Sequence, residues 1–383
     1  MSIFAVSKAH CEQQGSSKNY ISYVKDNEMK RMIVVAALFG AGICSAHAQS
    51  SVTLYGRIGS GFDFVSNVAT ASAQSKNVYR FGSNQYGISW WGLKGSEDLG
   101  GGLHAVFNLE SMFTAGTGQL PGDSLFNRYA YVGLASDRFG SLWVGRAMSL
   151  TDETGFYLDP LGEQSIGIAT LVYGRSWGSR ANTVTYNSLK YGGLEFRGQY
   201  GFGNEAGNYR GSRQMSASAS YTAVGLNLRG VYEEIRDANG KFSSLYSASR
   251  EYMVGGTYTW EQIKILGGFE QLVSSGRDTI AQANNPTAST RSQQEWIGVN
   301  WQATAALLLR AGVFHANVNN GGGSGTLGVV GADYYISKRT LFYGTFGAMF
   351  NGGSAAFPVE TADQTPLAGH HQQGGYFGVM HYF

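Results

Sequence analysis

The sequence predicts an all-β fold, a transmembrane antiparallel up-and-down barrel of about 16 strands. Three observations predict it: a composition rich in strand formers, apolar/polar alternation along many segments, and connections that are short and long by turns. Fifty-five glycines stand against five prolines, with twenty-three tyrosines and twenty-one phenylalanines. That mixture suits strands and tight turns. Mean hydropathy is slightly negative; a barrel wall averages to such a value because its lipid-facing and water-facing residues cancel.

The first strand is SVTLYGRIGSGFDF, residues 51–64. Val52, Leu54, Ile58, Phe62 and Phe64 share one parity, while Thr53, Tyr55, Arg57 and Asp63 take the other, the period of two that a strand requires. Leu194, Phe196, Tyr200 and Phe202 oppose Glu195, Arg197 and Gln199 in the same way. Met215, Ala217, Ala219 and Tyr221 oppose Ser216, Ser218, Ser220 and Thr222; Ile297, Val299 and Trp301 oppose Trp296 and Asn300. Strands follow at 79–95, 101–113, 127–136, 139–147, 181–189, 192–203, 213–223, 225–235, 250–260, 262–274, 291–302, 305–316, 325–336, 339–350 and 372–383. The polar parity is expected to face a wet lumen over many strands and the apolar parity to face lipid. Short turns fall at Asp98–Gly102, Asp137–Gly140, Lys190–Gly193, Ala223–Gly225, Gln302–Thr304 and Ser337–Arg339, and longer Gly/Asn/Ser-rich loops separate the other pairs. Aromatics crowd the strand ends, among them Tyr79, Phe81, Trp90, Trp91, Tyr334, Tyr335 and Phe342, as interfacial girdles would. The chain ends YFGVMHYF, with Phe377, Val379 and Phe383 on one parity.

The N-terminus reads as an address. From Met29, the basic pair Lys30–Arg31 precedes an apolar run from Met32 to Ile43, and Ala46-His47-Ala48 forms a small-x-small cleavage site. Residues 29–48 are therefore expected to be a Sec-type signal peptide cleaved after Ala48, leaving 49–383 as the barrel. The apolar run is too short to span a bilayer as a helix. Residues 1–28 carry no targeting pattern; they read as a non-functional extension ahead of a true start at Met29 or Met32, the alternative being an extended n-region. Both cysteines, Cys11 and Cys44, fall in the leading segment. Without residues 1–48 the basic and acidic side chains are equal in number, which gives no support to a nucleic-acid role.

The longest stretch without alternation runs from Ala147 to Ser179 and carries Asp152, Glu153, Asp159, Glu163 and Pro160. A structureless segment of that length in a compact fold is usually functional; the alternative is an external solvated loop. Alternation places Arg57 and Glu110 on the inward face and Trp90 with them, opposite Trp91 and Leu93. Arg128 falls on the parity of Ala130 and Val132 unless the strand end twists or bulges. There is no H-E-x-x-H, G-x-S-x-G or Walker A pattern, so neither a catalytic centre nor a cofactor or metal site is expected. A barrel-borne hydrolase and an adhesin or phage receptor stand as competing classes.

Several stretches together resemble the Gram-negative general porins of the β-proteobacterial and neisserial type. They are SSVTLYGRI, GLKGSEDLGGGLHAVFNLES (Gly92–Ser111), NRYAYVGL (Asn127–Leu134) followed by GSLWVGR, SRANTVTYNS (Ser179–Ser188), ISKRTLFYG (Ile336–Gly344) and the terminal HYF. The resemblance covers essentially all of 49–383. It implies a homotrimeric barrel in the outer membrane of a Gram-negative bacterium, among outer-membrane lipid and lipopolysaccharide, passing small hydrophilic solutes and ions. It further implies an inward-folded third loop as a constriction. On that pattern Arg57, Arg128 and Arg180 face Glu110, Asp152, Glu153 and Asp159 across the opening, with Trp90 where relatives carry an arginine. Met380 replaces a second lumenal arginine, and both departures put the anion preference common in relatives in doubt.

Overall fold

The computed structural model describes residues 51–275, 288–361 and 365–383. The signal-peptide and extension segments assigned above lie outside the described residues. Seventeen strand segments form one antiparallel sheet. They are β1 (Ser51–Ala69), β2 (Ser75–Gly82), β3 (Ser89–Gly100), β4 (Leu103–Phe113), β5 (Ala130–Ser136), β6 (Gly140–Met148), β7 (Ser179–Asn187), β8 (Leu194–Gly201) and β9 (Gln214–Thr222). The remainder are β10 (Leu226–Ile235), β11 (Arg250–Trp260), β12 (Ile263–Val273), β13 (Arg291–Gln302), β14 (Leu307–Val318), β15 (Gly323–Tyr335), β16 (Thr340–Gly352) and β17 (Gln372–Tyr382). Neighbours in sequence pair throughout except β2 and β3, which both pair with β1, and β17 returns to β1 in register from Arg57↔Tyr382 to Val65↔Gly374. The Phe383 amide and carbonyl close the seam on Gly56 at 3.0 and 3.2 Å. No edge is left there for lipid to meet, as a membrane-spanning sheet requires. In β1, Val52, Leu54, Ile58 and Phe62 are exposed on the outside while Asp63 and Val65 are buried inside.

The seventeen segments make a 16-stranded barrel because β2 and β3 are two halves of one strand, both paired to β1. The expected continuous strand over 79–95 is therefore interrupted. Between Gly82, opposite Gly61, and Trp90, opposite Arg57, the chain carries four more residues than β1 does. Asn84 takes a left-handed φ of 74°, accessible to asparagine at low cost. Its side chain accepts from the Ser89 amide at 2.8 Å and donates to the Phe113 carbonyl at 3.3 Å. The excess folds into the lumen and stacks Tyr86 on Tyr343, ring centroids 4.4 Å apart.

The stretch between β6 and β7 is not irregular throughout. Ser149 caps helix α1 (Leu150–Leu158), accepting from the Asp152 amide at 3.0 Å, a standard helix start. A short 3-10 turn follows at Ile168–Val172. This loop lies against the inner face of the barrel: the Trp296 indole donates to the Leu158 carbonyl at 3.0 Å and Arg310 to the Pro160 carbonyl at 3.0 Å. Leu150, Leu158, Leu161, Ile166, Ile168 and Leu171 are buried against inward residues that include Met253, Phe314, Leu327 and Met349. The inner wall is thus not uniformly polar, contrary to the expectation of a wet face throughout. From β11 round to β17 apolar residues such as Met253, Phe314, Leu327 and Met349 form a floor under the loop, interleaved with buried polar groups that include Glu251, Glu270, Gln294 and Asp333.

Charge fixes the loop's far end. Arg175 Nη1 donates to Glu233 at 2.7 Å and to Glu251 at 2.8 Å, and its remaining nitrogens reach Ser249. Removing Arg175 takes from Glu251 the cation that pairs with it and leaves Glu233 to Arg180 alone, and breaking a buried pair by removing one partner costs about 3–5 kcal/mol. Arg175→Met is accordingly expected to lower the temperature at which the folded band is lost on semi-denaturing gels and to add current noise from a loosened loop. Unchanged thermal behaviour and quiet channels would show that the apolar floor alone holds it. Closure gives a second expectation: deleting Phe383 removes the bonds to Gly56 and is expected to reduce the heat-modifiable, assembled fraction.

Candidate functional site

Because the loop packs on the wall of β11–β17, the open lumen lies on the side of β1–β10. A cavity of about 610 Å3 occupies it. Of the eight residues nominated from sequence, Arg57, Trp90, Arg128, Asp152 and Glu153 line this space together. Arg57, from β1, donates Nε to the Ile88 carbonyl at 2.7 Å. Trp90, opposite it on β3, points inward with Arg128 over its ring at 5.4 Å. Arg128 escapes the outward parity because it precedes the ladder of β5: the chain bends at this residue, so its side chain turns into the lumen.

The other three do not stand across the opening. Glu110, on β4, lies behind Arg128 on the same wall, accepting from its Nε at 2.8 Å and from the Tyr55 hydroxyl at 2.6 Å. Arg180 is buried in a bidentate pair with Glu233, at 3.0 and 2.8 Å. Asp159 folds the loop, accepting from the amides of Leu161, Glu163 and Ile168 at 2.9, 3.0 and 3.1 Å. Position alone distinguished none of these from free lumenal charges: Glu233 is remote in sequence from Arg180, and the partners of Asp159 are backbone amides that carry no signal in the sequence.

The loop side of the cavity carries the acids. Glu153 pairs with Arg197 of β8 and accepts from the Tyr129 hydroxyl at 3.0 Å. Asp152 accepts from the Gly178 amide at 2.8 Å. Burial pushes the Asp152 carboxyl up to about 6, opposed by that amide and by Arg128 and Arg180. Glu163 is raised well above the usual carboxylate range, first by burial and then by Asp152 and Asp159. Arg197, Arg229 and Glu195 also line the cavity, and Arg229 stacks over the Tyr157 ring at 3.5 Å. Alternation already put Glu195 and Arg197 on the inward face, so the signal for them existed. Trp177, a lone aromatic in a Gly/Ser-rich loop segment, gave none.

The architecture and the sequence both find relatives. The family described as Gram-negative porin matches residues 33–354. An outer membrane porin protein of Bordetella pertussis is 32% identical over 265 residues, 62% of this chain and 68% of the relative. Outer membrane porin protein 32 of Delftia acidovorans is 26% identical over 382 residues, 92% of this chain and 99% of the relative. Among solved structures, the anion-selective porin from Comamonas acidovorans superposes with a TM-score of 0.73 at 20% identity, covering 87% of this chain and all of that one. An outer membrane protein of Vibrio cholerae in trimer form gives 0.61 at 16% identity, over 87% of this chain and 99% of the other. A closed 16-stranded barrel with a polar lumen, matched along most of its length by that family, places the chain among the Gram-negative porins, outer-membrane channels rather than enzymes.

Proposed function

We propose that the cavity between the loop and the β1–β10 wall is the constriction of a general diffusion channel for small hydrophilic solutes and ions. The observation that carries this is the juxtaposition of Arg57 and Arg128 on the wall with Asp152 and Glu153 on the loop, around one space of about 610 Å3. Opposed charges across a narrow gap set a transverse field that orders water and biases ions, as charged rings do in other channels. Four arginines (Arg57, Arg128, Arg197, Arg229) share the lining with four acids (Asp152, Glu153, Glu163, Glu195). Burial favours the protonated form of Glu163, so the arginines are not fully offset and a mild anion preference is expected near neutral pH, in keeping with tryptophan rather than arginine at position 90.

The assembled unit is a homotrimer in this reading. Phe62, on the outer face, touches Phe81 and Phe377 at centroid distances of 6.0 and 5.4 Å, and Leu54, Ile58 and Val379 are exposed beside them. An apolar outer face meets lipid or a second copy equally well; the trimer form of the Vibrio cholerae protein favours the copy. Residues 29–48 serve as the signal peptide, with cleavage after Ala48, and lipopolysaccharide surrounds the outer rim.

Purified protein in a planar bilayer is expected to close in three equal current steps. In a salt gradient, Arg57→Gln and Arg128→Gln are expected to move the reversal potential toward cations by more than Arg291→Gln does in an external position. Screening is incomplete where water is scarce, since the Debye length is about 10 Å at 0.1 M salt. Equal shifts at all three positions would overturn this assignment of the constriction.

A pH dependence follows from Asp152. Its carboxyl takes up a proton at about 6 instead of 3.8, so lowering the pH through that window removes a negative charge from the lining. Selectivity is expected to move toward anions between pH 7 and 5, and no histidine lines the cavity to produce the same effect. Asp152→Asn should flatten the profile across this range. A profile unchanged by Asp152→Asn would assign the titration elsewhere.

A further inference from the structure

Toward the external loops lies a second cavity, of about 430 Å3, lined among others by Arg80, Gln85, Ser165 and Thr361. Asn84, Ile88 and Trp177 line both this space and the charged cavity below it. Hydrogen bonds bracket these three. At one side the Ser165 amide of the loop donates to the Gln85 carbonyl of the wall at 2.7 Å; at the other, where the loop runs into β7, Ser179 Oγ donates to the Asn127 carbonyl at 2.8 Å. A solute that passes from the outer space to the inner one goes by the residues the two share.

Both jaws of the gap are held. On the wall, the inward fold of 83–88 is pinned by Arg57 on the Ile88 carbonyl and by the Asn84 side chain on Ser89 and Phe113. On the loop, Arg180 Nη1 donates to the Trp177 carbonyl at 3.3 Å, and Asp152 holds the next amide, Gly178. The four extra residues between β2 and β3 would be only a lesion in the barrel ladder if they served nothing. Lining the same two spaces as Trp177, they narrow the path between them.

We propose that Trp177, Ile88 and Asn84 form the neck that sets the size limit of the channel, while the charged ring beneath them sets its ion preference. The neck is mostly apolar, so it discriminates by cross-section rather than by charge. Arg57, Asp152 and Arg180 act there as positioning residues, each through a backbone group of a jaw. This inference rests on the reading of the lumen as a diffusion path.

The test is single-channel conductance of the purified protein together with sugar uptake into proteoliposomes. Trp177→Ala is expected to raise conductance and to admit larger sugars while leaving the reversal potential in place; Arg128→Gln is expected to do the reverse. Ile88→Cys gives a second approach that does not depend on a truncation, because Cys11 and Cys44 lie in the leading segment. A methanethiosulfonate reagent at position 88 should cut conductance about twofold or more, as a plug at a constriction does, whereas Ala223→Cys in an exposed turn should not respond. If wild-type protein conducts but Trp177→Ala and modified Ile88→Cys match it in conductance and sugar limit, the neck is elsewhere. If wild-type protein does not conduct, the diffusion reading itself fails and the neck with it.

Discussion

Every feature of the lumen follows from one constraint: in hydrocarbon, a backbone N–H or C=O must find its partner within the protein. The chain meets it by closing β17 on β1 and by tying Phe383 to Gly56. Closure makes the outer surface apolar by necessity and leaves the inside as the only place for polar side chains. A 16-stranded barrel encloses more space than wall side chains can fill. What occupies that space decides whether the lumen is a wide pore or a filter, and here a thirty-residue loop between β6 and β7 occupies much of it.

Two kinds of contact keep that loop inside, and they do different things. The apolar floor of Met253, Phe314, Leu327 and Met349 under Leu158, Leu161 and Ile166 supplies non-directional burial; removing such side chains from water contributes in proportion to area. It would tolerate sliding. The cluster of Arg175 and Arg180 with Glu233 and Glu251 is directional, and buried ion pairs commonly add little net stability once desolvation is counted. Its contribution is position: two arginines from either end of one segment, Arg175 and Arg180, converge on a single carboxylate, Glu233. That fixes the backbone of 175–180, and with it Trp177, to within hydrogen-bond tolerance.

The barrel was legible because alternation is a local property, repeated strand after strand; the turn at Asp98–Gly102 and the outward row Val52, Leu54, Ile58 need no remote information. The candidate site was legible only in part. Arg57, Trp90 and Glu110 sit within regular strands, where parity says in or out, and all three point inward. Parity does not say what stands opposite, so Glu110 was set across the opening when it lies beside Arg128. Arg180 and Asp159 read as free charges because their partners are distant in sequence or are backbone amides. The break after Gly82 was hidden by a stretch whose residues remain compatible with a strand; only the register against β1, four residues out of step, exposes it. The apolar floor was missed for a related reason: parity says that Met253, Phe314, Leu327 and Met349 point inward but not that a loop remote in sequence will cover them.

The residues picked out by their charge therefore do two jobs. Arg57 lines the cavity with its guanidinium and, through Nε, holds the Ile88 carbonyl; Asp152 offers a carboxylate to the lumen and, through the Gly178 amide, holds the segment that carries Trp177. Charge selection and size selection are then mechanically linked though chemically separate. Neutralising Asp152 by protonation removes its field but still leaves a carbonyl oxygen to accept from Gly178, since only the charged form is lost and not the acceptor. Neutralising Arg57 by substitution removes both its field and its hold on Ile88. The same nominal loss of one charge thus acts on ion preference alone in the first case, and on preference and aperture together in the second. A lumen built this way can respond to pH without changing its bore, because the group that titrates keeps its structural bond in either protonation state, while the groups whose loss would widen the neck are arginines that do not titrate in any ordinary range.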